Sequence, residues 1–180
     1  MAKLLDGTAL AKEVRAEVAV GVQELVAKHG VTPGLAAVLV GDDPASAIYV
    51  RNKRRACEEA GAFSETFNLD AAATQDQVLD MVARLNQDSR FHGILVQLPL
   101  PSQVDTQRVI ETVDPLKDVD GINPSNVGRL VQGRPRFVPG TPAGIQQILL
   151  RNGYDPAGKH VVICGRSEIV GKPLAVLLMQ

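Results

Sequence analysis

Alternation between helical periodicity and short apolar runs is the feature that most limits how this chain can fold. The runs Leu35–Val40 and Gly93–Leu98 are apolar over most of their length, so neither has a polar face to turn toward solvent. Phe63–Leu69 predicts a further strand, and amphipathic stretches precede and separate the three. Strands that are buried on both faces and joined by helices form parallel sheets, so the sequence predicts an α/β fold with a parallel sheet.

Capping residues and apolar spacing predict the helices. Asp6 is expected to cap a helix over residues 7–28, and Thr74 is expected to cap one over 74–86. A Gly- and Pro-rich stretch over 114–142 predicts an interdomain connection with a short helix near 126–131. The remaining helices are predicted over 46–60, 103–113 and 142–151, with Thr141 as the cap of the last. Helical spacing predicts one apolar stripe along the first helix, made of Leu10, Val14, Val18, Val22 and Leu25.

Composition excludes several classes of partner. A net charge of −1 provides no general attraction to nucleic acid or anionic membranes, and 3% aromatic residues leave few surfaces for stacking bases. Cys57 and Cys164 lie far apart without metal-binding spacing, which favours reduced thiols in the cytoplasm. The three histidines do not cluster, so no metal is expected. The N-terminus lacks a secretory leader, and no stretch is apolar enough to span a membrane. From the charge, the aromatic content and these two observations together, we expect neither a nucleic-acid nor a membrane partner.

A glycine-bearing loop near the end of the sequence predicts phosphate binding. The apolar run Val161–Cys164 leads into Gly165-Arg166-Ser167-Glu168-Ile169-Val170-Gly171-Lys172-Pro173, which predicts a buried strand, a turn and the start of a helix. Neither the Rossmann nor the Walker A pattern fits, because this segment has two glycines separated by five residues and no hydroxyl after its lysine. Spacing alone leaves open both a phosphate site and a plain connection, although Arg166 and Ser167 favour the phosphate site.

Polar and aromatic side chains from separate segments are expected at the carboxyl edge of the sheet. Tyr49 and Lys53 are four residues apart and share one face of the second predicted helix. Gln97 ends the third predicted strand, and Asp118 and Asp120 lie in the loop after the next helix. Ligands of open α/β sheets bind at this edge, so these side chains predict a site.

Each of these residues also has a structural interpretation. Lys53 lies among three arginines, and a basic helix face is usually only solvated. Tyr49 is compatible with partly buried packing, and Gln97 with the capping of a strand end. The two aspartates are of a type common in turns. The pattern leaves both interpretations open, and the expected convergence at one edge favours the site.

Five motifs occur in an order that resembles a known family. They are Tyr49-x-x-x-Lys53, Val96-Gln97-Leu98-Pro99-Leu100-Pro101, Lys117-Asp118-Val119-Asp120-Gly121, Pro139-Gly140-Thr141-Pro142-Ala143-Gly144 and the loop from Gly165 to Pro173. Together they resemble the bifunctional methylenetetrahydrofolate dehydrogenase/methenyltetrahydrofolate cyclohydrolase family. The resemblance implies a two-domain α/β enzyme, with a catalytic folate-binding domain over residues 1–120. Residues 121–180 would be the hinge and the first part of a Rossmann-like NADP-binding domain.

The resemblance also implies the reactions and the site. With NADP, 5,10-methylenetetrahydrofolate would be oxidised to 5,10-methenyltetrahydrofolate, which is then hydrolysed to 10-formyltetrahydrofolate. A cytoplasmic homodimer acting on tetrahydrofolate derivatives is implied, with no metal. The implied catalytic residues are Lys53, Gln97, Tyr49 and Asp120; the implied substrate-binding residues are Tyr49, Gln97, Leu98, Pro99 and Asp120; the implied NADP-binding residues are Gly165, Arg166, Ser167 and Ile169.

The residue types suit these roles. Hydration of the methenyl carbon needs a base and then an acid, and one amine can serve as both. A lysine is a base near neutral pH only if its pKa, ordinarily about 10.4, is lowered, as burial and a bound cation both do. Gln97 would orient the Lys53 amine, and Tyr49 offers a flat face to a substrate ring. Asp120 can accept paired donors from the pterin, and Arg166 with Ser167 would hold the 2′-phosphate of NADP.

The chain departs from the family pattern at two points. Gly140 stands where the family usually has Cys, for which we expect only a local effect. The later Pro-Gly-Gly-Val-Gly-Pro-x-Thr segment is absent from the 180 residues. Taken literally, the chain is therefore expected to lack dehydrogenase activity, to bind NADP poorly and to associate through an exposed Val161–Cys164. Two alternatives remain: a truncated folate-binding or dimerisation module, and a phosphate-loop transferase, which the missing hydroxyl after Lys172 disfavours.

Overall fold

A computed structural model describes residues 2–180. Over this range the elements follow one another as α1 (Gly7–His29), β1 (Gly34–Val40), α2 (Pro44–Glu59), β2 (Phe63–Leu69), α3 (Gln75–Gln87), β3 (Gly93–Val96), α4 (Thr106–Thr112), α5 (Pro124–Val131), α6 (Gly140–Arg151) and α7 (Gly171–Leu178). They form two compact units, which we call the sheet unit (residues 13–118) and the helical unit (residues 2–12 and 119–180). None of the helices over residues 2–180 is both long enough and apolar enough to cross a bilayer.

The three strands of the sheet unit form a parallel sheet in the order β2-β1-β3. Val38 of the central strand is paired with Phe67 on one side and with Val96 on the other. All four residues of β3 and six of the seven residues of β1 are buried, because neither strand has a polar face. The prediction of a parallel α/β sheet is confirmed, and β2 has the predicted bounds.

The core of the sheet unit lies between the sheet and α3. Val78, Val82 and Leu85 recur at helical spacing along α3, and all three are buried. Phe91 is 1% exposed, and its ring centroid lies 5.5 Å from that of Phe67 in an edge-to-face arrangement. This packing holds β2, β3 and α3 in one cluster.

Side-chain caps define where the helices of the sheet unit begin. The predicted cap Thr74 is confirmed, because its hydroxyl accepts from the Gln77 backbone while the Gln77 side chain accepts from Thr74. The prediction that a helix begins at residue 103 is wrong, since α4 begins at Thr106 after the cap Asp105. The Gln103 side chain instead donates to the Ala71 carbonyl at 2.7 Å, a tertiary bond that sequence spacing does not reveal.

Of two further predicted helix caps, one is wrong and the other is confirmed. Thr141 does not cap α6, because Gly140 is already helical and the N-cap is Pro139, which offers no side-chain bond. Asp6 does cap α1, since its carboxylate accepts from the Thr8 backbone at 2.8 Å. Within the apolar stripe along α1, Val22 is buried, whereas Val18 and Leu25 are 49% and 37% exposed.

The predicted strand Val161–Cys164 is not a strand in the structure. The helical unit contains no strand among its described residues, so this apolar run has no ladder in which to pair. Val161 and Val162 are 46% and 73% exposed, and the predicted exposure of the run is confirmed at these two residues. The run therefore has the apolar composition of a buried strand, but no strand among the described residues of the helical unit pairs with it.

Candidate functional site

The first group of candidate residues lies on α2, directly after β1. The ammonium nitrogen of Lys53 lies 4.5 Å from the ring centroid of Tyr49, a cation–π contact. Lys53 is half-buried, and Tyr49 is 54% exposed. Such a contact contributes about 0.5–1 kcal/mol at an exposed position. The structure thus brings Tyr49 and Lys53 together and leaves much of the tyrosine accessible.

The start of α2 is fixed by a cap that the sequence analysis missed. The Asp43 carboxylate accepts from the Ser46 backbone at 2.8 Å, and Pro44 occupies the first turn. Hydrogen bonds from Ser46 hold the pKa of Asp43 below its ordinary value, so this carboxylate is charged at the helix N-terminus. An Asp before a Pro is the signal that would have placed the helix start two residues earlier than predicted. This cap fixes the first turn of the helix that carries Tyr49 and Lys53.

Gln97 follows the last residue of β3 and extends its hydrogen-bond ladder. Its backbone N–H donates to the Val38 carbonyl at 2.9 Å, so it lies at the carboxyl edge of the sheet as predicted. Its side-chain amide donates to the Leu98 carbonyl at 2.7 Å. The Leu98–Pro99 peptide is cis, with Leu98 half-buried and Pro99 exposed.

The two aspartates of the next loop have different environments. Asp118 is 3% exposed and pairs with Ile94 in an isolated parallel bridge beside β3. This burial supports a structural role for Asp118. Asp120 is half-buried and belongs to the helical unit. That Asp120 serves the same site as Tyr49, Lys53 and Gln97 stays a prediction.

In the helical unit, the glycine-bearing loop folds back on its own backbone. A Cβ atom added at Gly171 would lie 2.4 Å from the Gly165 carbonyl oxygen, so only glycine fits there. The Ser167 hydroxyl accepts from the backbone N–H groups of Val170 and Gly171 at 3.2 and 3.3 Å, at the start of α7. A hydroxyl that accepts two bonds can still donate its own proton, and a phosphate oxygen would be a suitable acceptor. The close backbone contact explains why the loop needs glycine at position 171.

The side chains of this loop are mostly exposed. Arg166 is exposed, and Ile169 is 46% exposed. The Lys172 ammonium forms an ion pair with Glu168 at 3.0 Å, which differs from the phosphate contact of a Walker A lysine. A cavity of about 460 Å³ adjoins the loop, and its apolar lining includes Ile145, Leu149, Ile163, Leu174 and Leu178. Within residues 2–180 no three or more His, Cys, Asp and Glu side chains are grouped to hold a metal ion.

Comparison with protein families matches both ends of the chain. Residues 5–120 match the model of the tetrahydrofolate dehydrogenase/cyclohydrolase catalytic domain. Residues 139–180 match the model of the NAD(P)-binding domain of the same family. The second match includes α6, the glycine-bearing loop and α7, which places the predicted loop in the nucleotide-binding domain of this family.

Individual relatives agree with these matches. The chain is 54% identical over 179 residues to the bifunctional protein FolD of Magnetococcus marinus. The aligned region covers 99% of this chain but only 63% of that relative's length. The crystal structure of the bifunctional enzyme FolD from Campylobacter jejuni superposes with a TM-score of 0.95 at 43% identity, covering 98% of this chain and 63% of that one. The Trypanosoma brucei methylenetetrahydrofolate dehydrogenase-cyclohydrolase, solved with NADP and an inhibitor, superposes with a TM-score of 0.94 at 36% identity, covering 99% and 61%. The chain therefore belongs to the tetrahydrofolate dehydrogenase/cyclohydrolase family.

Proposed function

We propose that the whole protein oxidises 5,10-methylenetetrahydrofolate with NADP and hydrolyses the resulting 5,10-methenyltetrahydrofolate to 10-formyltetrahydrofolate. The observation that carries this proposal is the Tyr49–Lys53 pair, whose ammonium and ring centroid are 4.5 Å apart on the helix that follows β1. Matches to both domain models of the family support it. The Lys53→Ala experiment described in the Discussion tests it.

Hydrolysis requires two proton transfers, and Lys53 is the proposed carrier of both. The neutral amine takes a proton from water as the oxygen bonds to the methenyl carbon. The resulting ammonium returns that proton to N5 as the bond between this carbon and N5 breaks. The hydroxyl on the carbon gives its remaining proton to solvent and becomes the carbonyl of the formyl group on N10, so one proton is released overall. Lys53 is half-buried, so its amine is only partly surrounded by bulk water.

The neighbouring residues would hold the substrate and orient the amine. The exposed ring of Tyr49 offers a stacking face for the pterin or aminobenzoyl ring. Gln97 lies at the carboxyl edge of the sheet, where its side chain can orient the Lys53 amine. Leu98 and Pro99 would supply apolar contact to the bound folate. These four assignments are proposals that site-directed variants can test.

Asp120 is the proposed anchor of the pterin, and Asp120→Asn tests this role. The variant keeps the shape but removes the charge and one acceptor. It should weaken binding of 5-formyltetrahydrofolate, a stable reduced folate, by roughly 1.5–3 kcal/mol, the scale of a charged hydrogen bond. Isothermal titration calorimetry measures the change, with Asp80→Asn on the exposed face of α3 as the matched control. Equal affinities for Asp120→Asn and the unmodified chain would leave Asp120 as a turn residue.

The glycine-bearing loop is the proposed contact for NADP, which accepts the hydride when it is bound. The residues fit this group, because the contact of Gly171 with Gly165 keeps the loop compact and Ser167 can donate to a phosphate. Exposed Arg166 has a guanidinium available for a phosphate, and Ile169 offers apolar contact. The Trypanosoma brucei relative was solved in complex with NADP, which supports this assignment.

Arg166→Ala tests whether the guanidinium pairs with the 2′-phosphate. In a form that spans the whole length of its relatives, the variant should bind NADP about tenfold more weakly and NAD nearly unchanged. The reason is that only NADP carries this phosphate. Titration of each nucleotide gives the two affinities, and Lys159→Ala is the control for loss of an exposed cation in the helical unit. Equal losses for NADP and NAD would reduce Arg166 to a structural residue.

We also propose the domain division and the assembly that the resemblance implies. The catalytic folate-binding domain would comprise residues 1–120, and the hinge with the start of the NADP-binding domain would comprise residues 121–180. A homodimer is proposed because the family resemblance implies one. The cytoplasm is proposed as its compartment because the two cysteines are free thiols, which suits a reducing environment. Sedimentation velocity measures the oligomeric state, and a monomer at micromolar concentration would contradict the dimer.

A further inference from the structure

Lys117 is attached to two different elements of the sheet unit through its two ends. Its ammonium donates to the carbonyl oxygens of Leu85 and Asp88 at 3.1 and 2.9 Å, at the C-terminus of α3. Its own backbone carbonyl accepts from the Ile94 N–H of β3 at 2.7 Å. The last carbonyl groups of a helix lack intrahelical partners and attract a cation. Lys117 therefore ties its own segment to both α3 and the sheet.

A second side chain holds the same segment at its other end. The Asn86 amide donates to the Thr112 carbonyl at 2.7 Å and accepts from the Asp114 backbone at 2.9 Å. Between these anchors the Asp114 carbonyl accepts from the backbones of Lys117 and Asp118 at 2.7 and 3.0 Å, forming one helical turn. The segment is thus fixed at residues 112–114 by Asn86 and at residue 117 by the lysine ammonium.

The charge of the lysine also acts on a neighbouring carboxylate. Hydrogen bonds from Arg90, and to a smaller extent the charge of Lys117, hold the pKa of Asp88 below its ordinary value. The ammonium thus lies near a negative charge as well as two carbonyl groups, which favours its position at the end of α3.

We propose that Lys117 is a positioning residue for folate binding, acting through Asp120. This inference rests on the proposed function. Only two residues separate Lys117 from Asp120, so a shift of Lys117 is passed along the backbone to the carboxylate that would pair with the pterin. Lys117 itself touches no reacting atom in this scheme. Its ammonium restricts the backbone conformations available to the segment that leads to Asp120. Less conformational entropy is then lost when folate binds, so binding is stronger.

A double-mutant cycle separates this role from general stabilisation. Affinity for 5-formyltetrahydrofolate is measured by calorimetry for the unmodified chain, Lys117→Met, Asp120→Asn and the double variant. Lys117→Met should weaken binding about tenfold when Asp120 is present and less than about twofold when Asn replaces it, because the two residues act on one contact. Lys117→Arg, which keeps a cation at the two carbonyl groups, should stay within about threefold of the unmodified chain. Lys28→Met removes an exposed ion-paired lysine of α1 and is the control.

The outcomes are distinct. The inference would be overturned if Lys117→Met weakened folate binding equally with Asp120 and with Asn at position 120. It would also be overturned if Lys117→Arg weakened binding as much as Lys117→Met. In both cases Asp120 would keep its proposed role. Unchanged affinity in Asp120→Asn alone would contradict the proposed pterin anchor and this inference together. If Lys117→Met does not fold, as circular dichroism shows, Lys117→Gln takes its place in the same cycle, because a neutral amide still donates to one carbonyl.

Discussion

Lys53→Ala should lose hydrolysis of 5,10-methenyltetrahydrofolate by about a hundredfold or more, the scale of general acid–base catalysis. The expected cause is loss of the group that removes a proton from water and returns it to N5. The contact between Lys53 and the Tyr49 ring contributes only about 0.5–1 kcal/mol, which is too little to produce this loss through stability alone. The rate is measured from the disappearance of the methenyl chromophore in a form that spans the whole length of the relatives.

Two further variants make this experiment specific. Lys53→Arg keeps a cation near Tyr49 but cannot act as a base near neutral pH, so its hydrolysis should be as slow as that of the alanine variant. Arg55→Ala removes a cation of the same helix whose side chain is 78% exposed and ion-paired with Glu59, and it should hydrolyse at the normal rate. Hydrolysis near the normal rate in Lys53→Ala would contradict the assignment of this lysine.

Gly34→Ala should destabilise the sheet unit by about 3 kcal/mol, one of the largest effects of a single methyl group expected in this chain. A Cβ atom at this position would lie 2.0 Å from the Arg90 carbonyl oxygen, which belongs to the backbone and cannot move aside alone. Both backbone groups of Gly34 also bond to His92, with its N–H donating to Nδ1 at 3.1 Å and its carbonyl accepting from the His92 N–H at 2.8 Å. The start of β1 is therefore fixed against the chain that enters β3.

The unfolding midpoint in urea, followed by far-ultraviolet circular dichroism, measures this loss. Gly21→Ala is the matched control, because it makes the same substitution in the interior of α1 with no atom within 4 Å of the added Cβ. It should stabilise the protein by roughly 0.5–1 kcal/mol, since glycine is a poor helix former. A Gly34→Ala midpoint at or above that of the unmodified chain would show that β1 and the Arg90 turn separate easily.

Local rules were sufficient where one element decides the outcome. Continuous apolar runs between helical segments predicted the parallel sheet, because β1 and β3 lack the polar face that an exposed strand needs. The four-residue spacing of Tyr49 and Lys53 predicted that they share a helix face, and the structure places them in contact. Thr74 predicted a helix start, because a side-chain cap involves only residues that are neighbours in the sequence.

Predictions failed where a distant partner decides. Val161–Cys164 is apolar enough for a strand, but a strand requires a neighbour, and the described residues of the helical unit offer none. Gln103 looked like a helical residue, yet its side chain bonds to Ala71, thirty-two residues away. Thr141 has a side chain that can cap a helix, but α6 already begins at Gly140, so Thr141 lies inside the first turn. None of these choices is encoded in a short window of sequence.

The sequence by itself determined the parallel sheet, the Tyr49–Lys53 face, the position of Gln97 at the sheet edge and, through ordered motifs, the family. Only the tertiary structure decided which glycines are obligatory, since the approach of Arg90 to Gly34 joins residues far apart in the chain. It also decided the place of Lys117, whose ammonium reaches carbonyl groups at the end of α3. The physical reason is that periodicity and capping act over one or two helical turns, whereas these contacts depend on which backbones packing brings together.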